Sequence, residues 1–394
     1  MRILFVAMPH SVHSARWINQ IVDQGHEVHL FPSMETKPHE SLKNVRLHCT
    51  NIGFRLISRL VNMLKKKAIS SRTPQPKLFS TLFDRSFWLL RIIRIVKPDI
   101  IHSLEMQHAG YLTFAARARS RGKFPTWIVT NWGSDIFLFG RLASHVDRIK
   151  KVLSSCDYYS CECERDVKLA IDKGLKGEVL SVLPNGGGFD LQHAYKLRKT
   201  GPTSLRRLIL LKGYQHWSGR ALVALRALEL CSQELQGYHI AIYSASNDVK
   251  IAAELVSQST GIPIELIPLC SHDEMLSFFG RARVYIGLSI SDAISTSLLE
   301  AIIMGAFPIQ SCTSCADEWI ENGKTGLIVP PEDPEIIATA IRRAVSDDSL
   351  VDYAAEQNAR LASERLDRSI IQPQVIAMYE KVAAGALLKR RSRR

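Results

Sequence analysis

The chain has 394 residues, 46% hydrophobic and 23% charged, the composition of an ordinary soluble globular protein, and its length predicts two domains of nearly 200 residues each. The net charge of +13 is one-sided: residues 1–200 hold 31 Lys+Arg against 16 Asp+Glu, while residues 201–394 hold 20 against 22. No run reaches the roughly 18 apolar residues of a membrane span, and the N-terminus turns polar too early for a signal peptide, so a cytoplasmic protein is expected.

The first strand is ILFVA (3–7), followed by a helical pattern over 14–24 that Gly25 ends, and by the strand EVHLF (27–31). This opens a βαβ unit and a parallel sheet. FRLISRLVNMLKKK (54–67) has Leu56, Ile57, Leu60, Val61 and Leu64 on one helical face and basic residues elsewhere. It reads either as a helix lying on an anionic membrane surface or as an ordinary surface helix before the Ser/Pro-rich linker 70–76. Strands follow at 99–103, 126–130, 157–161 and 178–183, with helices at 108–120 and after Glu164.

The charge balance changes near residue 200, where a domain boundary is expected. Strands at 207–212, 239–243, 264–269, 284–290 and 325–329 then alternate with helices at 220–235, 246–260, 272–282, 298–304 and 334–346. The fold class implied is α/β, with two doubly wound sheets and a cleft between them. The eight cysteines are scattered, and the one CxxC, Cys312 to Cys315, has no second pair; with Cys161 and Cys163 they read as small buried thiols, and no metal is assigned.

One stretch carries chemistry. ARVYIGLSISDAISTSLLEAIIMGAFPIQ (282–310) reads as strand, polar loop, helix and second strand, an arrangement that presents unpaired helix amides to an anion. Asp292 and Glu300 bracket that anion site, and a nucleotide sugar offers both a phosphate for the amides and hydroxyls for the carboxylates. Ser297-x-x-Glu300 is also the pattern of a capping box.

Three segments in order, Asp292-x7-Glu300, LLEAIIMGAFPI (298–309) and DEWIENGKTGLIVPPEDP (317–334), resemble the family 4 (group 1) nucleotide-sugar glycosyltransferases of GT-B fold. The resemblance implies two Rossmann-like domains facing a cleft, with acceptor binding in 1–200, donor binding in 201–365, and a C-terminal helix and basic tail (366–394) packing back toward the first domain. It implies that Glu300 holds the ribose hydroxyls, and that Ser295, Thr296, Ser297, Leu298 and Gly213 line the nucleotide site. Asp292 stands where the family has a glutamate that contacts the transferred sugar. In LLKGYQHWSGRA (210–221) Tyr214 occupies a family arginine position, and Lys212 and Arg220 supply the charge for the diphosphate.

On the acceptor side the resemblance points to His10 and Arg16 after the first strand, and to Asn131, Trp132 and Asp135 in VTNWGSD (129–135). Trp132 takes the place of a family histidine, and Glu105 and His108 are the substitutes. No Asp-x-Asp occurs, so no metal clamp and no cofactor is expected beyond the donor itself. The reaction implied is a retaining transfer to a glycan, lipopolysaccharide or glycolipid precursor. The basic first half suits an anionic or lipid-linked acceptor and peripheral contact of 54–67 with the inner face of the cytoplasmic membrane. A nucleotide-sugar epimerase and a catalytically silent binding protein are the alternatives; nucleic-acid binding ranks last because aromatics are not interleaved among the basic residues.

Overall fold

The computed structural model describes residues 1–48 and 84–391, so the basic segment 54–67 and the linker 70–76 lie outside the described residues. Two compact units divide the chain. The first comprises residues 1–161, 167–185 and 374–394; the second comprises 162–166 and 186–373.

The first unit is built on seven strands: β1 (Arg2–Ala7), β2 (Glu27–Pro32), β3 (Arg46–Leu47), β4 (Ile100–Leu104), β5 (Thr126–Thr130), β6 (Tyr158–Ser160) and β7 (Glu178–Val179). All pairings are parallel, in the order β3-β2-β1-β4-β5-β6-β7. The second unit has β8 (Leu208–Lys212), β9 (His239–Tyr243), β10 (Ile264–Ile267), β11 (Ala282–Gly287), β12 (Phe307–Ser311) and β13 (Leu327–Val329), parallel in the order β10-β9-β8-β11-β12-β13. The order reverses beside β1 in one sheet and beside β8 in the other. At such points crossovers leave on opposite faces, and the carboxyl ends of the strands are open to a ligand.

The central strands β4 and β11 are buried along their whole length, so even their polar residues His102, Ser103 and Arg283 are enclosed. Several boundaries differ from the sequence expectation. The first helix stops at Asn19, six residues before Gly25, and the chain continues in turns that Gly25 closes at φ +68°. The strand expected over 178–183 pairs only at Glu178–Val179, and the unexpected β3 is a two-residue edge. The helix Pro334–Ser346 runs as expected, because Asp333 caps it and Pro334 sits in its first turn. No described helix is long and apolar enough to cross a membrane.

The helix Arg368–Arg391 delivers Tyr379 into the core of the first unit, where the side chain is fully buried. The Tyr379 hydroxyl lies 2.7 Å from His102 Nδ1 and accepts from Trp17 Nε1 at 2.9 Å, while His102 Nε2 sits 2.6 Å from Thr130 Oγ1. Burial lowers the His102 pKa to about 3, so the ring is neutral and works only as a hydrogen-bonding group. Tyr379→Phe keeps the ring but strands two buried polar groups. It is expected to lower unfolding stability by about 1–3 kcal/mol, read as a lower midpoint in a urea titration at unchanged m.

Candidate functional site

In the second unit the site starts from the helix Thr296–Met304. Its seven residues from Leu298 to Met304 are all buried, so the helix is fixed by apolar packing on every side, and Gly305 ends it at φ +72°. At its start Ser295 makes no side-chain cap. The Leu298 and Leu299 amides both donate to the Ser295 carbonyl, at 2.9 and 3.2 Å. Those of Thr296 and Ser297 have no acceptor among the described residues. Two open amides at the positive end of a helix form an anion-binding position. Leu298, expected to contribute a third, has its amide occupied.

Lys212, at the carboxyl end of β8, reaches Ser295 Oγ at 3.4 Å with its ammonium 5.0 Å from the Tyr214 ring centroid. Burial opposes that charge, but Tyr285, Asp292, Tyr214 and Glu300 outweigh it and hold the lysine pKa above its ordinary value. The site therefore keeps a cation at neutral pH. Tyr243, buried beneath, donates to Ser297 Oγ at 2.7 Å. Gly213 donates its N–H to the Tyr243 carbonyl at 2.8 Å, and a Cβ there would meet the backbone of Ala245 and Tyr243 at 2.8 Å. Glycine at 213 thus serves the close approach of β8 to the chain after β9.

Glu300 lies one turn along the same helix from Thr296, 7% exposed. Its Oε1 accepts from His272 Nε2 at 2.8 Å rather than from Ser297, so the capping box suggested by the sequence does not form. His272 opens the helix His272–Arg281, which the Ser271–Glu274 capping box starts. Nothing in the local sequence connects it with Glu300.

Asp292 turns its carboxylate toward its own loop, accepting from the Ala293 amide at 3.0 Å. The Asp292 carbonyl is held by Arg165 at 2.8 Å, and the same guanidinium donates to the Thr313 carbonyl at 3.1 Å and to the fully buried Asp166 at 2.9 Å. Arg165 was invisible to sequence reasoning because it reaches the loop across 127 residues. Arg220 Nε is paired with Glu332 at 2.8 Å, and its loop is pinned by bridges Gln215–Arg220 and Gly219–Ser289.

In the first unit the carboxyl end of β4 carries the strain. Glu105 has φ +77° and is followed by a π-helical turn, Met106–Gly110, a combination that collects at functional sites. Its carboxylate accepts from the amides of His108 and Ala109 and lies 3.3 Å from His108 Nδ1. Asp135 Oδ2 accepts from the amides of Met106 and Trp132, at 2.8 and 2.9 Å, so it holds the two loops together. Trp132 stands edge-on to His13, centroids 6.0 Å apart. Asn131 is buried, its carbonyl accepting from Asn185; His10 bonds Thr36 at 2.7 Å, and Arg16 is half-buried. Glu105, His108, Trp132 and Asp135 therefore form one group.

Residues 2–158 match the family model described as glycosyl transferase 4-like, and residues 223–361 match that of the glycosyl transferases group 1. Among curated proteins none matches by sequence. The chain is similar in structure to sucrose-phosphate synthase from Thermosynechococcus elongatus, with TM-score 0.72 and 13% identity over 98% of this chain and 100% of that one. It is similar to trehalose 6-phosphate synthase from Burkholderia multivorans (TM-score 0.70, 15% identity, 99% and 98% covered). A third neighbour is HepE from Anabaena, solved in complex with UDP-glucose (TM-score 0.69, 13% identity, 97% and 100% covered).

Two expectations follow from this geometry. The hydrogen bond to Glu105 raises the His108 pKa above 6.5. The stability this contributes is full below that ordinary value and is lost as pH rises through the folded-state pKa. An NMR titration should place His108 above 6.5 and move it down in Glu105→Gln; a midpoint at or below 6.5 in the wild type would contradict the pairing. Arg165→Ala should speed hydrogen exchange at the amides around Ala293 while β11 and β12 keep their protection.

Proposed function

Because the chain belongs to the glycosyltransferase 4-like and group 1 family and is a GT-B glycosyltransferase, we propose that it moves a sugar from a nucleotide diphosphate sugar to an acceptor hydroxyl with retention of configuration. The observation that carries this is the pair of open amides at Thr296 and Ser297, flanked by the Lys212 ammonium and followed one turn later by the buried Glu300. The diphosphate meets the amides and Lys212, with Arg220 lending charge from its pinned loop. Glu300 Oε1 is held by His272, which orients Oε2 for the ribose hydroxyls. Asp292 takes the hydroxyls of the transferred sugar.

In the transfer the bond from the anomeric carbon to the phosphate oxygen breaks, and the acceptor oxygen bonds to that carbon on the same face. The acceptor proton passes to the departing phosphate, whose charge Lys212 and Arg220 stabilise. No protein base is required on this route, which accommodates Trp132. Glu105, His108 and Trp132 then serve to position the acceptor, together with His10, Arg16, Asn131 and Asp135. The excess of basic residues in 1–200 suits an anionic or lipid-linked glycan, lipopolysaccharide or glycolipid precursor. The UDP-glucose bound to the Anabaena neighbour makes uridine diphosphate sugars the first donors to test.

A panel of nucleotide sugars in a thermal-shift assay tests the donor site. A matching donor at about 100 times its Kd should stabilise the wild type by about 2.7 kcal/mol, and Glu300→Ala should lose the response. No stabilising donor, or an equal response in the mutant, would overturn the assignment. With a donor in hand, Lys212→Ala should lower kcat by about 100-fold or more. Donor stabilisation without any transfer or hydrolysis would instead favour a silent binding protein, and an inverted anomeric signal in the product spectrum would refute retention.

A further inference from the structure

Two thiols that sequence spacing leaves unrelated meet in the second unit. Cys163, on the segment 162–166, and Cys315, in the turn after β12, are 0% and 2% exposed, and neither is in a disulfide. Their Sγ atoms and a Glu318 carboxylate oxygen all lie within 4.8 Å of one another. The CxxC contributes one thiol, since Cys312 is exposed and outside this group. We propose that Cys163, Cys315 and Glu318 bind a single zinc-class divalent cation, with water in the fourth position.

The donor set decides the class of ion. Two thiolates select a borderline-soft cation over magnesium or calcium, and a tetrahedral zinc with Zn–S of about 2.3 Å needs sulfurs roughly 3.7 Å apart, a spacing the 4.8 Å limit accommodates. Glu318 is already aimed: its oxygens accept from the amides of Glu164 at 3.0 and 3.2 Å and of Arg165 at 3.4 Å, which fixes the carboxylate and leaves lone pairs for a metal. Zinc with two thiolates and one carboxylate carries one net negative charge. Arg165, near enough to both thiols to feel their charge, faces it, while Asp166 holds the guanidinium in place.

The cation has a structural task. Cys315 N–H donates to the Ala293 carbonyl at 2.7 Å, and Arg165 holds the Asp292 carbonyl at 2.8 Å, so a metal tying 163 to 315 and 318 braces the loop that carries Asp292.

The full-length protein, stripped with chelator under a phosphine reductant, is titrated with Co(II). One equivalent is expected to produce a near-ultraviolet thiolate-to-cobalt charge-transfer band and visible tetrahedral bands, both displaced by Zn(II). Cys163→Ser and Cys315→Ser lose the bands, Cys312→Ser keeps them, and Glu318→Gln reaches them only at higher Co(II). Absence of a charge-transfer band in the wild type, its survival in Cys163→Ser, or its loss in Cys312→Ser overturns the site. Circular dichroism checks that Cys163→Ser is folded; if it is not, Glu318→Gln decides, because both thiols remain and an unchanged Co(II) affinity refutes the carboxylate ligand. Zn(II) should also raise Tm in the wild type and not in Cys163→Ser. The nucleotide-sugar response reads Glu300 independently, so the two assignments fail separately.

Discussion

The second unit depends on a helix that its own packing will not allow to be capped. Leu298 to Met304 are buried on every side, so the register of Thr296–Met304 is set by the core, and Ser295 falls at the N-cap without a side-chain bond. The resulting pair of open amides has a cost that an anionic ligand removes. Around them stand Lys212, whose charge Tyr285 and Asp292 sustain against burial, and Glu300, hydrogen-bonded to His272. Stability is given up locally at the position proposed for the diphosphate.

The first unit differs in its local device. Its sheet also ends in loops at the reversal of strand order, but the local device is backbone strain at Glu105 and the π-turn that follows. A carboxylate that accepts from two amides of that turn holds the backbone in the unfavourable conformation, and the same carboxylate orients the His108 ring. Asp135 completes the arrangement by clamping the β4 and β5 loops through their amides. The two halves thus differ in kind, one presenting open donors and the other presenting side chains on a tensioned turn.

Much of this was legible in the sequence wherever the cause is local. Buried strands, the helix stop at Gly305, the Asp333–Pro334 start and the position of Glu300 follow from periodicity and turn chemistry, and the family resemblance supplied the roles. What escaped was non-local. His272 meets Glu300 from another helix, Arg165 reaches Asp292 from the opposite half of the chain, and Cys163 lies beside Cys315, which the sequence read only as scattered thiols. The capping box read from Ser297 and Glu300 failed because packing moved the helix start to Thr296, so a correct local rule lost to a tertiary constraint. The strain at Glu105 was unreadable, since no residue type announces a positive φ at a glutamate.

The helix Arg368–Arg391 has a further consequence, for how the chain is connected. Val375, Met378, Tyr379 and Val382 are buried, and Tyr379 satisfies Trp17 and His102, more than 270 residues away in sequence. The second unit's chain ends at Pro373, whereas the first unit takes its last segment from 374–394. The buried hydrogen-bond set of Trp17 and His102 is therefore completed only by a residue near the other end of the chain, although most of the first unit's chain precedes the second.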